Sequence, residues 1–249
     1  MLYGICNQTI VPVRLEPSDA SEQVTQLLYG DHFKVLEKRK SWSKIRIAFD
    51  NYEGWVDNKQ YLEILEENYI ELDAKPLTLS SNIIEYVTDY QERLMTIPLG
   101  SVVSNCDVLQ HHFEGDSIKG VFSRKELISI ALNYLNTPYL WGGKTPFGID
   151  CSGFTQMVYK LCGHKLLRDA SQQATQGEAL SFIEECEPGD LAFFDNSEGK
   201  IVHVGIIMDN NYIIHSHGKV RIDRIDHTGI FNVDTKVYSH QLRVIQKII

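Results

Sequence analysis

The sequence predicts an α+β chain in two parts: a small all-β barrel, then a larger domain whose helices precede an antiparallel sheet. Three observations carry this expectation. The first ~65 residues break into short β-branched and aromatic runs divided by turn formers. A helix-start signal stands at Ser123. After Pro188–Gly189 the chain becomes a succession of strand-like segments.

In the front segment, residues 9–14, 32–36, 42–49 and 53–56 read as strands, with breaks near Pro17, Gly30–Asp31 and Asp50–Asn51. Ile45, Ile47 and Phe49 alternate with Lys44, Arg46 and Ala48, the period of a half-buried strand. Residues 1–65 are therefore expected to form the barrel. Residues 66–120 are expected to be a connector or a degenerate second barrel, with a helix over 81–94 and a break at Pro98–Gly100. Residues 121–249 form the larger domain. There, Ser123-Arg-Lys-Glu126 has the form of a capping box, and Leu127, Ala131 and Leu135 follow at helical spacing. A loop holding Gly142–Gly143 and Pro146 leads to a second helix over 152–161, stopped by Gly163. Strands are expected over 191–194, 201–208, 212–217, 220–225 and 242–249.

Composition excludes several classes. Lys and Arg number 24 against 33 Asp and Glu, a net charge of −9, the wrong sign for gripping a phosphate backbone, so no nucleic acid partner is expected. Five scattered cysteines do not make a disulfide scaffold, and the odd count leaves one unpaired. No stretch approaches the ~18 apolar residues of a membrane span. The first basic residue is Arg14, with Glu16, Asp19 and Glu22 close behind, unlike an export signal, and a cytoplasmic location is expected.

Cys151, in Gly148-Ile-Asp-Cys-Ser-Gly-Phe154, stands where a loop enters a helix. Unpaired N–H groups and the helix dipole favour a thiolate there, and the polar neighbours Asp150 and Ser152 make a purely packing role less comfortable. Cys162, beside Leu161, reads as core. A thiol nucleophile needs a base, and the base an orienting partner. His203 and His215 lie on strands joined by Asp209-Asn-Asn211, a run of turn formers. With those three as the loop, Met208 pairs with Tyr212 and His215 falls opposite Gly205, on the face that carries His203. The same register sets His217 opposite His203. Three imidazoles on one face also describe a zinc site with an open position, which would make the protein a zinc hydrolase and leave Cys151 without a role. His111–His112 read as surface residues.

Taken together, Tyr139-Leu-Trp-Gly-Gly143, Asp150-Cys-Ser-Gly-Phe154, Arg168-Asp-Ala-Ser-Gln-Gln173, Pro188-Gly-Asp-Leu191, His203-Val-Gly205 and Ile214-His-Ser216 resemble the NlpC family of cell-wall cysteine peptidases over about residues 121–249. That family has a papain-like fold stripped to its core. The front segment, with Tyr52-Glu-Gly-Trp-Val56, looks like a bacterial SH3-like barrel. The combination resembles γ-D-glutamyl-L-diamino-acid endopeptidases acting on murein tri- or tetrapeptides with a free N-terminal L-Ala, in peptidoglycan turnover or recycling.

The resemblance implies Cys151 as nucleophile, His203 as general base and acid, and His215 as the group orienting His203, a histidine that adds no negative charge. It also implies that Tyr139 helps the backbone N–H of Cys151 hold the oxyanion. No cofactor or metal is expected. An enzyme demanding a free amine needs acceptors around it. Asp150, Ser152, Asp169 and Ser171 lie near the catalytic motifs, with Trp141 beside them, and Glu16 and Tyr52 are expected to reach in from the barrel. Arg168 is expected to take the α-carboxylate of D-Glu. A murein-peptide-binding module without catalysis stands as a further alternative. The sequence sets neither the oligomeric state nor the choice of lysine or meso-diaminopimelate.

Overall fold

Ile45 and Ile47 are buried while Lys44 is half-buried and Arg46 faces solvent, so the alternation in this stretch makes a strand with one sealed face. The computed structural model describes residues 2–249 and divides into two units, with the boundary between Val121 and Phe122. The first unit opens with β1 (Leu2–Ile5), β2 (Ile10–Arg14), β3 (Gln23–Leu28), β4 (His32–Lys38), β5 (Trp42–Ile47), β6 (Glu53–Asp57) and β7 (Leu62–Ile64). Their order in the sheet is β3-β2-β6-β5-β4-β1-β7, around a core that includes Val11, Val13, Leu27, Phe33, Ile45 and Val56.

Helix α1 (Glu66–Ala74) follows, then β8 (Thr78–Ser80), β9 (Ile84–Asp89), β10 (Leu94–Pro98), β11 (His111–Phe113) and β12 (Ser117–Lys119). The helix expected over 81–94 is replaced by a β-hairpin: β9 and β10 pair antiparallel from Leu94↔Thr88 to Pro98↔Ile84. Ile83, Ile84, Val87 and Leu94 match helical spacing, yet of these only Val87 is buried, so no helical face was being sealed. Val87 and Ile97 join Ile5 and Tyr29 in a second core, which packs this segment onto the barrel strands of its own unit.

The second unit contains α2 (Arg124–Leu132), β13 (Lys144–Thr145), β14 (Gly148–Ile149), α3 (Cys151–Leu161), α4 (Ala170–Gln173) and seven strands. These are β15 (Glu178–Leu180), β16 (Leu191–Asp195), β17 (Ile201–Met208), β18 (Tyr212–His217), β19 (Lys219–Ile225), β20 (Gly229–Asn232) and β21 (Val237–Lys247). The capping box forms as expected, Ser123 and Glu126 closing it reciprocally. Leu135 does not extend the helix: α2 ends at Leu132 and Leu135 is exposed, while the neighbouring Tyr134 is buried.

The sheet order is β15-β21-β16-β17-β18-β19-β20, and β20 also pairs with β21. That second pairing closes six antiparallel strands into a ring. Ala192, Phe194, Ile207, Ile213, Ile225 and Ile230 form one of its cores. Helix α3, buried along its whole length, packs against β17 and β18. The architecture is thus α+β, with an all-β region in front.

Candidate active site

The β17–β18 hairpin has the register that its turn residues imply: Met208 pairs with Tyr212 and Gly205 with His215. Asn210 and Asn211 adopt positive φ, a conformation asparagine tolerates, and this lets three residues reverse the chain. His203 and His215 therefore share a face. Gly205 is required between them, because a Cβ there would stand 2.8 Å from His215 Cβ. The expected pairing of His203 with His217 does not form. The β17–β18 ladder ends at Gly205, His203 pairs with Phe194 on β16, and His217 is exposed with its ring 6.3 Å from that of His203.

His203 Nε2 lies 2.8 Å from His215 Nδ1, and His215 Nε2 lies 3.0 Å from Asp223 Oδ2 on β19. The chain of partners fixes the tautomers. Asp223 is held by Arg221 through Oδ2 at 2.6 Å and Oδ1 at 2.9 Å, and it also accepts from Val233 N–H. Burial opposes its ionisation, but the hydrogen bonds from His215, Arg221 and Val233 keep its carboxyl well below the ordinary range. A carboxylate only accepts, so His215 Nε2 carries a proton and Nδ1 is its acceptor. His203 Nε2–H then donates to His215 Nδ1, and His203 Nδ1 keeps its lone pair. That lone pair is what a base toward a thiol requires.

His203 is 5% exposed and His215 0%. Burial lowers the pKa of His203 well below the usual histidine value, helped by the other imidazoles around it. His215 is lowered too, its burial outweighing the pull of Asp223. His240 on β21, which sequence reasoning missed, lies flat against His203 with ring centroids 4.1 Å apart, and burial lowers it to about 4. Between these lowered values and ~6.5, an unfolded chain binds protons that the folded one does not, so stability falls as pH drops. The melting temperature is expected to decline steadily from pH 7 toward pH 4. A His240→Phe variant should show a shallower decline by calorimetry, and an equal slope would contradict the assignment.

Cys151 begins α3, and Asp150 caps that helix by accepting from Gly153 N–H. A Cβ on Gly153 would meet the Gly143 carbonyl at 2.3 Å, so glycine lets the helix start press onto the loop before it. That loop is tied to the sheet by Ser216 Oγ donating to Ile149 O and by Tyr139 N–H donating to Gly218 O. Cys151 is 7% exposed, and the backbone N–H of Val204, next to His203, donates toward its sulfur. The expected resting thiolate is not favoured. Burial, then the charge of Asp150, pushes the thiol up to about 12. The positive helix end is already occupied by the Asp150 carboxylate. With burial disfavouring both the thiolate and the imidazolium, deprotonation of the thiol must accompany attack.

Asp150 and Arg168 form a buried ion pair. Arg168, 2% exposed, donates to Asp150 and to Ser152 Oγ at 2.9 Å. Asp150 also accepts from Gly142 N–H at 2.9 Å and Ser152 Oγ at 3.2 Å. The two charges pair with each other in the interior and hold the start of α3 in place. Ser152 belongs to the same buried knot. Asp169 is half-buried at the start of α4, its N–H donating to Gln172 Oε1, and Ser171 is exposed one residue into that helix. Tyr139 is half-buried, and burial raises its hydroxyl pKa. Trp141 is 60% exposed on the same loop. Glu16 and Tyr52 lie in the barrel unit, Glu16 exposed beyond β2 and Tyr52 packed partly against the barrel core.

The zinc alternative changes composition. Among the described residues, the imidazoles that converge are His203, His215 and His240, not His217. Two nitrogens on one tetrahedral zinc sit about 3.3 Å apart, given Zn–N bonds of about 2.0–2.1 Å. The 2.8 Å separation of His203 and His215 is that of a shared proton.

A thiol at a helix start beside a strand carrying a buried, carboxylate-backed histidine pair is the arrangement of a cysteine peptidase. Residues 136–239 match the NlpC/P60 family, and residues 13–60 match the bacterial dipeptidyl-peptidase Sh3 domain. The chain thus carries an NlpC/P60 domain behind a bacterial dipeptidyl-peptidase SH3 domain. It is 28% identical over 251 residues to dipeptidyl-peptidase 6 of Lysinibacillus sphaericus, covering 85% of this chain and 87% of that one. It is 27% identical over 232 residues to γ-D-glutamyl-L-lysine dipeptidyl-peptidase of Bacillus cereus, covering 80% and 68%. An NlpC/P60 family protein from Bacillus cereus has the same fold along the whole length, with a TM-score of 0.80 at 18% identity, 98% of this chain and 99% of that one being covered.

Proposed function

We propose that the protein is a cysteine endopeptidase that hydrolyses the γ-D-glutamyl–diamino-acid bond of short murein peptides with a free N-terminal L-Ala. The observation that carries the chemistry is the Asp223–His215–His203 relay, which leaves His203 Nδ1 as an acceptor on the strand beside Cys151. The names of the two relatives support the substrate class.

In this reading the thiol proton passes to His203 Nδ1 as sulfur attacks the γ-carbonyl. The negative charge that develops on oxygen is held by the Cys151 N–H and the Tyr139 hydroxyl. The imidazolium then protonates the departing amine of the diamino acid. Water, deprotonated by the same ring, releases L-Ala-γ-D-Glu from the thioester. Asp169 and Ser171, polar and not sealed in the interior, are the acceptors in this unit for the substrate amine.

The test is mass spectrometry of products from L-Ala-γ-D-Glu-L-Lys and its meso-diaminopimelate counterpart, each with a free and an acetylated N-terminus. Release of L-Ala-γ-D-Glu is expected, with acetylation slowing it by about 10–100-fold, the scale of a lost charged hydrogen bond. Equal cleavage of free and blocked peptides would remove the amine requirement. Absence of cleavage at the γ-bond would remove the function.

A further inference from the structure

The hydrogen bond from His203 Nε2–H to His215 Nδ1, 2.8 Å long, holds one atom of the ring. Such a bond tolerates roughly 30° of bending, so alone it does not fix the ring plane. His240 supplies the second constraint. Its ring lies flat on His203, centroids 4.1 Å apart and planes 19° from parallel. Phe194, the β16 partner of His203, backs both rings at 5.7 and 5.9 Å. Two backbone features bring His240 there. Ile230 pairs with His240 and Phe231 with Tyr238, so β21 bulges at Ser239, and a bulge re-aims the side chain beside it. Ser239 Oγ then lies 2.9 Å from His240 Nδ1. Gly229 is the second feature: a Cβ there would collide with the His240 carbonyl, so only glycine lets β21 come this close.

We propose that His240 is a positioning residue of the peptidase, its flat ring being the platform that fixes the plane of His203. Rotation of His203 about its Cβ–Cγ bond would sweep a ring edge into the His240 face, while His215 stops movement within the plane. Under both constraints the lone pair at His203 Nδ1 keeps one direction while the thiol proton arrives and while it leaves. Burial lowers the pKa of His240 to about 4, so at pH 7 its ring is neutral. An imidazolium formed on His203 therefore meets no second positive charge from the platform. A catalytic role for His240 rests on the peptidase reading above, whereas its hold on the ring plane does not.

The test compares two variants of the full-length chain: His240→Phe keeps a flat ring, and His240→Leu keeps bulk without a flat face. With L-Ala-γ-D-Glu-L-Lys, kcat is expected to fall by about 10–100-fold in His240→Leu, the scale of a misplaced catalytic group, with KM little changed. His240→Phe should recover to within about threefold of the wild type. Melting is followed in parallel, and His240→Met replaces the leucine variant if that one does not fold, because methionine fills irregular gaps. Nitrogen-15 NMR of the proton that His203 Nε2 donates to His215 reads the ring plane without turnover. That resonance should stay sharp in His240→Phe and broaden in His240→Leu. Wild-type kcat in the leucine variant, equal losses in both variants, a change confined to KM, or an equally sharp resonance in all three proteins would each overturn the platform. If the wild type cleaves nothing at the γ-bond, the proposed function fails, and the resonance still decides whether His240 holds the ring.

Discussion

Replacing Cys151 with alanine is expected to lower kcat by about 10⁵–10⁶-fold, the loss seen when a hydrolase nucleophile that acts with its base is removed. The substitution takes away the sulfur and little else. Asp150 still accepts from Gly153 N–H at 2.6 Å, and Arg168 still bridges Asp150 and Ser152, so the start of α3 keeps its position. Peptide affinity, measured by calorimetry with the uncleaved substrate, should therefore be retained. Hydrolysis by the alanine variant at the wild-type rate would end the cysteine-peptidase reading.

Asp223→Asn is the second large effect, and its direction follows from counting donors. Every partner of this carboxylate donates: His215 Nε2, Arg221 at both oxygens, and Val233 N–H. An amide must turn its NH₂ toward one of these groups. If it faces His215, that ring accepts at Nε2 and carries its proton on Nδ1 instead. His203 must then accept at Nε2 and hold its own proton on Nδ1, where the thiol needs a base. A carboxylate-to-amide change that imposes the wrong tautomer in serine-protease triads costs about 10⁴-fold in kcat. A loss of that order is expected here, read as kcat with KM little changed and with melting followed in parallel. An unaltered kcat would show that Asp223 is only structural.

The legible parts of the site were local. Three turn formers fixed the β17–β18 register, and period-2 alternation then placed His203 and His215 on one face before any coordinates were needed. Asp150 and Ser152 were also visible as part of a motif. Their partner Arg168 was seen, but that it is buried against them depends on packing between α3 and the loop before α4. Asp223 and His240 were not legible. Asp223 is one acid among charged neighbours on β19, and its only signal was Arg221 two residues earlier on the same face. His240 reaches His203 because β21 pairs with both β16 and β20, a closure with no local signature. The false helix over 81–94 shows the opposite failure: spacing alone suggested a periodic face that has no core to bury it.

The relay crosses three adjacent strands, β17, β18 and β19, all later in the chain than the helix that bears the sulfur. During synthesis the nucleophile leaves the ribosome well before its proton acceptor does, and nascent domains fold as units. A partly made chain therefore contains a reactive residue type with nothing to activate it. The proton relay is complete only once β17, β18 and β19 have paired, so the nucleophile and its activation are separate events in the life of the chain.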